Sequence, residues 1–597
     1  MIKVSEYIAK FLANNNITQI FLVSGGGAMH LNDSLGNYPG LNYFCNHHEQ
    51  ACAIAAEGYA RVSGKLPVVN VTTGPGGLNT LTGLMGQWTD SIAVLYISGQ
   101  VKYETTIGSC KEINLRQLGD QEVDIVSIVS PLTKYAKMIV DPKEIKKVLQ
   151  EAIYTATHGR KGPVWIDIPI NVQGALIDEN ELEDYILPIT ENNYSIITSS
   201  QLDEISFLLS QSIRPVIIAG HGIRLSDSIE EFNVLITKLN IPVVTTFNGF
   251  DLLEDNHPLY IGRIGTLGTR SGNFALQNAD LIISLGSRNN IRQISYNWQA
   301  FGKIAKTIVV DIDFSELKKP TLIPTLALNC DLKVFFELLL KNISFDNLID
   351  YSNWLHWCKE RKDKYPVVLE EYKNSSNVQP YYFIQKLTEK MKEDDILVAG
   401  NGSACVVEFQ AGIVKKGQRL FWNSGCASMG YDIPASIGAA IAAGRKKDII
   451  CLAGDGSAQM NIQELQTIFH YDLPIKLIYL NNNGYVSIKQ TQNSFFEGRM
   501  VGCDEKSGVS FPNMSKIAAA YDLKYVKIEN HLNLSERIEE MLSISGPLIC
   551  EVMLENDYIF SPKLSSEKLP DGRMISKPLE DMFPFLPREE FKTNILN

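Results

Sequence analysis

Short apolar runs alternate with segments of helical period through most of this 597-residue chain. In the first part of the chain, four such runs lie at residues 20–23, 68–72, 93–98 and 164–168. A continuous apolar run predicts a strand that is buried on both faces, and helices between such strands predict parallel pairing. The pattern therefore predicts an α/β unit built on a parallel sheet.

The same alternation returns twice along the chain. A second unit begins at Arg214 and carries strand-like runs at 242–245, 281–285 and 307–312, and a third unit follows. Residues 171–200 are polar and acidic, which indicates a linker. We therefore expect three doubly wound parallel-sheet domains and a C-terminal tail that is rich in proline and charge. The predicted boundaries are 1–175, 190–340, 370–555 and 556–597.

The most informative stretch, residues 448–484, reads DIICLAGDGSAQMNIQELQTIFHYDLPIKLIYLNNNG. It predicts a strand at 449–453, a tight Gly-Asp-Gly turn around Asp455, a helix, and a second strand at 476–480 that ends just before Asn482. The predicted helix carries its apolar residues on one side: Met460, Ile462, Leu465, Ile468 and Phe469.

Asp455 and Asn482 are expected to lie side by side, because parallel strands end at one carboxyl edge, where doubly wound folds bind ligands. Their oxygens are hard ligands of the kind that Mg²⁺ prefers, together with water and phosphate. The helix N-terminus after Gly456 offers free N–H groups to a phosphate. Taken alone, the stretch predicts a Mg²⁺–diphosphate site; the alternative is an ordinary βαβ unit with a glycine turn and a polar loop.

Composition excludes several other classes of function. The net charge of −12 argues against nucleic-acid binding, and no run of 18 apolar residues predicts a membrane span. The ten cysteines form no C-x-x-C pair and the nine histidines no zinc-like spacing, which favours reduced thiols and no zinc site. The N-terminus has helical period rather than a signal-peptide pattern, so we expect a cytoplasmic protein without membrane partners.

The spacing of 27 residues from Asp455 to Asn482 resembles the cofactor motif of thiamine diphosphate (ThDP) enzymes. The resemblance implies that Asp455 and Asn482 bind the metal through side chains, and Gly484 through its backbone carbonyl. Three α/β units in this order are similar to the acetolactate synthase group, with a pyrimidine domain, a middle domain and a diphosphate domain. The resemblance covers nearly the whole chain.

A second motif lies in the first unit, where HEQACAIAAEGYAR places Glu49 at the start of a helix of small residues. A glutamate in the first helical turn often only complements the helix dipole. The string nevertheless resembles the acetolactate synthase segment whose glutamate contacts N1′ of the cofactor pyrimidine and thereby promotes proton removal from the thiazolium ring. The resemblance implies that Glu49 activates the cofactor.

Other positions match the family's cofactor contacts only by resemblance. Met429 corresponds to the methionine that props the cofactor in its bent form, and plain core packing is the alternative. Gln121 is implied on the catalytic side. The remaining implied cofactor-binding residues are Gly25, Gly26, Gly74, Asn401, Gly402, Ser403, Ser428, Gly454, Gly456, Ser457 and Tyr485.

Two positions depart from biosynthetic acetolactate synthases. Asp120 stands where the family carries Phe before the glutamine, and Thr491 stands where it carries Trp. We expect a roomier and more polar acceptor pocket, with Asp120, Gln121, Gln490 and Thr491 on the substrate side. A carboxylate there should disfavour a keto acid and favour a hydroxylated acceptor. The flanking sequence resembles acetolactate synthase homologues of surface-polysaccharide synthesis, which implies a nucleotide-linked ketosugar.

The middle unit raises the question of FAD. The segments 220–223, 286–290 and 310–313 fall where acetolactate synthases hold a non-redox FAD, but Asn289 and Asn290 replace the usual acidic pair. Bound FAD and an empty middle domain are both left open.

The sequence thus predicts a ThDP- and Mg²⁺-dependent transferase. It would decarboxylate pyruvate or a similar 2-keto acid and pass the two-carbon unit to a carbonyl acceptor. Acetolactate synthesis from two pyruvates, simple decarboxylation, and a regulatory or structural ThDP binder are the alternatives. The resemblance also implies a homodimer or homotetramer with the active site between subunits.

Overall fold

A computed structural model describes residues 1–188, 197–345, 349–568, 571 and 573–596. It confirms the predicted fold class: three α/β domains, each with a six-stranded sheet whose strands all run parallel. The predicted domain boundary at residue 190 and part of the predicted linker lie outside the described residues. Within the described part of the chain, no helix has the length and apolar character that a bilayer crossing requires.

The first and third sheets share one topology. Numbered along the chain within each sheet, the strands lie in the order 2-1-3-4-6-5 in both domains. The first sheet consists, in spatial order, of Asn42–Cys45, Gln19–Leu22, Val68–Val71, Leu95–Gln100, Val164–Pro169 and Tyr135–Met138. The third consists of Arg419–Phe421, Ile396–Ala399, Ile449–Gly454, Ile475–Asn481, Leu548–Met553 and Lys524–Ile528.

The middle sheet has the order 3-2-1-4-5-6, in which the chain reverses direction across the sheet between its first and fourth strands. Open α/β sheets bind ligands at such a reversal, beyond the carboxyl ends of the strands. The strands are, in spatial order, Tyr260–Arg263, Val243–Thr245, Pro215–Ala219, Leu281–Leu285, Lys306–Asp311 and Leu326–Asn329.

Helices connect these strands and cover the sheets. Those of the first domain are Val4–Asn14, Met29–Asn37, Glu49–Ser63, Pro75–Leu78, Leu81–Asp90, Ile125–Val129, Ile145–Thr157 and Ile170–Gln173. The middle domain has Ser199–Gln211, Gly222–Leu225, Ile229–Leu239, Arg270–Gln277, Ile291–Ile294 and Leu332–Asn342, and Ser352–Lys364 leads out of it. The third domain and tail have Pro380–Lys390, Ser403–Ala411, Asp432–Ala442, Asp455–Gln459, Leu465–His470, Val486–Phe495, Met514–Ala520, Leu534–Ser543 and Arg588–Thr593.

The helix expected after the Gly-Asp-Gly turn is broken, which corrects the prediction of one continuous amphipathic helix. It consists of Asp455–Gln459, a 3₁₀ turn and Leu465–His470, and Met460 and Phe469 are exposed. The Asn461 side chain at the break donates to the carbonyl oxygen of Gly430 at 2.7 Å. The helix therefore ends where Asn461 forms a tertiary hydrogen bond, although the spacing of the apolar residues favours a helix that continues.

The first and third domains pack tightly through two helices, Glu49–Ser63 and Asp432–Ala442. At Gly438 an added β-carbon would lie 1.8 Å from the carbonyl oxygen of Ala55, and at Gly58 it would lie 2.1 Å from that of Ala435. Glycine therefore permits a backbone-to-backbone approach that holds the middle of the helix Glu49–Ser63 against the third domain.

Candidate functional site

Three oxygens converge at the carboxyl edge of the third sheet. The side-chain oxygen of Asn482 lies 2.6 Å from the carbonyl oxygen of Gly484 and 3.0 Å from Oδ2 of Asp455. Asp455 and Asn482 are 2% and 3% exposed. The N–H groups of Asn482 and Gly484 donate to Asp455 Oδ2 at 3.2 Å and 3.0 Å, and that of Gly456 donates to Oδ1 at 2.7 Å, so the two loops are bound to one carboxylate.

This arrangement fits a magnesium ion. Octahedral Mg²⁺ with ligands at 2.0–2.1 Å sets neighbouring ligand oxygens about 2.9 Å apart, and carboxylate, amide and carbonyl oxygens are its usual protein ligands. Three acceptors that face one another without a hydrogen between them repel unless a cation lies among them. The residues predicted as ligands are therefore the ones that the fold brings together.

Burial determines the charge state of this site before any cation binds. It raises the pKa of Asp455 to about 6, against three backbone N–H donors that lower it. A nearby divalent cation favours the charged carboxylate. Asp432 is fully buried and has its pKa raised to about 6, and the Ser457 hydroxyl donates to it.

Two glycines beside the oxygen cluster leave space for a ligand. A β-carbon at Gly402 or at Gly454 would meet nothing within 4 Å. Gly402 has a φ of +100° and precedes the helix Ser403–Ala411, whose first N–H groups are free of intrahelical partners. Open backbone at a helix start next to a cation site is suited to a diphosphate.

Met429 and Tyr485 close the other side of this turn. A β-carbon on Gly456 would lie 1.9 Å from the Tyr485 ring and 3.0 Å from the Met429 methyl carbon. Two hydrogen bonds fix the segment that carries Met429. The Gly430 N–H donates to Ser457 Oγ at 2.8 Å, and the Asn423 amide donates to Ser428 Oγ at 2.8 Å. Met429 thus lies over the glycine turn rather than in the domain core.

The first domain contributes a second group of predicted residues around Glu49. Asn79 donates to Glu49 Oε2 at 2.9 Å, and a β-carbon on Gly76 would lie 3.7 Å from Oε1. In the same glycine loop, a β-carbon on Gly74 would lie 2.0 Å from the carbonyl oxygen of Gln121, so Gly74 and Gln121 pack backbone to backbone. The fold therefore places Glu49 and Gln121 against the same glycine loop.

Gly25 and Gly26 lie beside that loop. A β-carbon on Gly25 would lie 2.5 Å from the Thr72 side chain, while one on Gly26 would meet nothing within 4 Å. The Gly27 N–H donates to Thr72 Oγ1 at 3.1 Å. These residues follow the first and third strands of the first sheet, whereas Asp455 and Asn482 follow the third and fourth strands of the third sheet.

Asp120 is exposed on a loop that Glu122 organises. The buried carboxylate of Glu122 accepts the backbone N–H groups of Ile107, of Leu118 at 2.9 Å and of Gly119 at 3.3 Å. Sequence reasoning missed Glu122. Its position directly after the predicted substrate residues Asp120 and Gln121 could have identified it.

The predicted substrate residues of the third domain lie on the helix Val486–Phe495. Thr491 is exposed, and its hydroxyl donates to the Ser487 carbonyl at 3.0 Å. Gln490 is engaged: its amide donates to the Tyr558 carbonyl at 3.1 Å and accepts from the Phe560 N–H at 3.4 Å. Tyr558 also contacts the predicted metal ligand Asn482, and no motif in the sequence indicated it.

A cavity of about 410 Å³ opens at the strand reversal of the middle sheet. It runs from Asp311, at the end of the fifth strand, past Gly222 and Gly286 to Phe247 and Phe409. The Asp311 carboxylate accepts one backbone N–H through Oδ1 at 2.9 Å, and Oδ2 accepts none from the described residues. A carboxylate at a strand end and close-packed glycines are suited to the ribose and pyrophosphate of a dinucleotide.

The comparisons with known proteins agree with this architecture. Residues 2–128, 202–339 and 400–552 match three descriptions: thiamine pyrophosphate enzyme, N-terminal TPP binding domain; central domain; and C-terminal TPP binding domain. Thiamine pyrophosphate is another name for ThDP.

Curated relatives match along nearly the full chain. The acetolactate synthase large subunit of Lactococcus lactis subsp. lactis (strain IL1403) is 34% identical over 569 residues, which are 94% of each chain. That of Cyanidium caldarium is 31% identical over 576 residues, 94% of this chain and 95% of the relative. The chloroplastic acetolactate synthase of Arabidopsis thaliana is 28% identical over 575 residues, 94% and 83% respectively.

Proposed function

The chain belongs to the thiamine pyrophosphate enzyme family, as an acetolactate synthase-like transferase, and we propose that it decarboxylates pyruvate or a similar 2-keto acid and transfers the two-carbon unit to a carbonyl acceptor. The observation that carries this proposal is the oxygen cluster of Asp455, Asn482 and Gly484 beside open glycine backbone. ThDP, when bound, supplies the carbanion chemistry of decarboxylation and ligation.

The chain's own residues would bind and orient that cofactor. Asp455, Asn482 and Gly484 would hold Mg²⁺, and the N-terminus of the helix that starts at Ser403 would receive a phosphate. Met429 would limit the cofactor's conformation from above the glycine turn. Glu49 would hold a proton for the pyrimidine ring; Asn79 occupies one of its oxygens and leaves Oε1 available.

We place the working site between two subunits. Glu49 is only half-buried in one chain, whereas a carboxyl group in this role needs a dry environment. Leu78, Met85 and Trp88 lie on the neighbouring helices, and each is at least 37% exposed. A second copy that covers these side chains would also bury Glu49, which supports a homodimer or homotetramer.

The polar pair Asp120 and Thr491 supports a hydroxylated acceptor. Both side chains are exposed, so neither serves the core of its own domain. A carboxylate and a hydroxyl in place of two large rings would admit a bulky polar substrate and repel a second keto acid. We propose a nucleotide-linked ketosugar of surface-polysaccharide synthesis. The names of the relatives favour the second candidate, acetolactate synthesis from two pyruvates.

The middle-domain cavity supports a bound, non-redox FAD. Its lining, with Asp311, close-packed glycines and the rings of Phe247 and Phe409, suits an adenine dinucleotide with an aromatic end group. Asn289, which replaces one of the family's usual acidic residues, accepts hydrogen bonds from Ser284 and Gln293 at 3.1 Å and 2.9 Å, so it supports the cavity wall. All ten cysteines are free thiols, which supports the reducing cytoplasm that we propose as its location.

Product analysis tests this function most directly. The purified chain is incubated with ThDP, Mg²⁺ and pyruvate alone, and the products are identified by NMR. We expect slow acetaldehyde release or little product, followed by ligation when nucleotide ketosugars are added. Abundant acetolactate from pyruvate alone would instead establish the second candidate, rapid acetaldehyde alone a simple decarboxylase, and ThDP binding without keto-acid consumption a non-catalytic binder.

A further inference from the structure

The segment that follows the last strand of the third sheet returns to the oxygen cluster. Tyr558 lies in it and is 6% exposed. Its hydroxyl accepts from Nδ2 of Asn482 at 3.4 Å. Tyr558 therefore lies behind a predicted metal ligand, on the side away from the other two cluster oxygens.

The orientation of the Asn482 amide decides whether this cluster can bind a cation. The oxygen and nitrogen ends of an amide have nearly the same shape, and only hydrogen bonds distinguish them. If the amide turned over, its nitrogen would donate to Gly484 O and Asp455 Oδ2, at 2.6 Å and 3.0 Å. That orientation would satisfy these two acceptors and would remove one oxygen ligand from the cation.

The Tyr558 hydroxyl opposes that turn. Nδ2 of Asn482 donates to this hydroxyl at 3.4 Å, a hydrogen bond that requires the nitrogen end of the amide to face Tyr558. The oxygen end is thereby left directed at Asp455 and Gly484.

We propose that Tyr558 is a positioning residue for the metal: its hydroxyl fixes the amide of Asn482 so that Oδ1 faces the cation. The proposal rests on the Mg²⁺ site proposed above and extends it to a residue of the C-terminal segment. Groups that orient metal ligands in this way typically account for 10- to 100-fold in metal affinity.

Gln490 holds Tyr558 in place. Its amide nitrogen donates to the Tyr558 carbonyl at 3.1 Å, and its oxygen accepts from the Phe560 N–H at 3.4 Å and from Lys563 Nζ at 3.1 Å. The helix Val486–Phe495 is thereby bound to the C-terminal segment next to the site.

Metal affinity measured on the full chain tests the proposal without relying on turnover. Mn²⁺ is titrated in the presence of ThDP and free Mn²⁺ is followed by EPR. Tyr558→Phe should weaken Mn²⁺ binding by about tenfold or more. Tyr381→Phe is the matched control, because the Tyr381 hydroxyl also holds this segment, through the Ser561 N–H at 2.8 Å, but contacts no cluster residue. It should stay within about twofold of wild type.

The same tyrosine substitution in an Asn482→Asp chain separates an effect on the Asn482 amide orientation from a general effect on the fold. In Asn482→Asp, the carboxylate presents an oxygen to the cation in either orientation, so adding Tyr558→Phe should change Mn²⁺ affinity by less than about twofold. Wild-type affinity in Tyr558→Phe, equal losses in both tyrosine variants, or an undiminished loss in the Asp background would each overturn the proposal. A wild-type chain that binds no Mn²⁺ with ThDP would overturn the metal site itself.

Discussion

Gly438 lies so close to Ala55 that a β-carbon on the glycine would stand 1.8 Å from the alanine carbonyl oxygen. Because Ala55 lies near the middle of the helix Glu49–Ser63, this contact fixes the helix that begins at the predicted activating carboxylate relative to the third domain. The close approach depends on the absence of one methyl group, which makes it directly testable.

Gly438→Ala should lower the stability of the chain by about 1–3 kcal/mol, because the two helices must move apart to admit the methyl group. Thermal unfolding of the intact chain measures the effect. Gly36→Ala is the control: it lies in the helix Met29–Asn37, where the nearest atom to a β-carbon is a Tyr43 ring carbon at 3.7 Å. That variant should be neutral or more stable.

Glu49→Gln should retain ThDP binding and lower kcat by about 100-fold or more, because the amide cannot hold the proton that a carboxyl group exchanges. Isothermal titration with ThDP and a pyruvate-consumption assay measure the two effects. Glu104→Gln, which changes an exposed carboxylate of the same domain, should alter neither. Unchanged turnover in Glu49→Gln would remove Glu49 from its proposed role.

Replacing Asp120 by Phe and Thr491 by Trp together should raise acetolactate formation from pyruvate alone by several-fold, since the two rings would restore an apolar acceptor pocket. NMR quantification of acetolactate against acetaldehyde gives the partition between products. Each single replacement serves as a control and should have a smaller effect. An unchanged ratio in the double variant would exclude these two positions from acceptor selection.

Stability should depend on pH through Asp167, whose pKa burial raises to about 7. Between about pH 4 and pH 7 the unfolded chain has released this proton while the folded chain still binds it, so stability falls as pH rises through that window. Asp167 accepts from the Ser98 hydroxyl at 2.5 Å and from Gln100 at 3.2 Å. Asp167→Asn should flatten this part of the profile.

The unfolding midpoint measured at half-unit pH steps gives the profile. Asp33→Asn, at an exposed helix position, should keep the wild-type slope. An Asp167→Asn profile that is parallel to wild type from pH 4 to pH 7 would contradict the assignment.

Trp88→Arg should shift the chain towards monomer and reduce activity with it, because a charge would lie in the proposed subunit contact. Sedimentation velocity at several concentrations measures the association. Ile213→Arg, at a more exposed apolar position of the middle domain, should leave the oligomer intact. A Trp88→Arg chain that keeps the wild-type oligomer would place the contact elsewhere.

Several strands that the sequence did not predict are less apolar ones at sheet edges, although Ile396–Ala399 and Leu548–Met553, inside the third sheet, were not predicted either. Leu281–Leu285 was predicted to the residue, whereas Tyr135–Met138, Tyr260–Arg263 and Leu326–Asn329 were not predicted, and all three are edge strands. A central strand is covered by helices on both faces and pairs with a strand on each side, so its sequence is a continuous apolar run. An edge strand has fewer neighbours and gives a weaker signal.

The sequence by itself determined the fold class and the pairing of Asp455 with Asn482, because those depend on local patterns: strand ends and a glycine turn. The role of Gly484 was implied only by the family resemblance. Only the tertiary structure showed that Asn461 breaks the following helix, that Gln490 binds the C-terminal segment, and that Tyr558 reaches Asn482 from 76 residues away. Such contacts join segments that no sequence period relates, so they follow from how the packed elements meet.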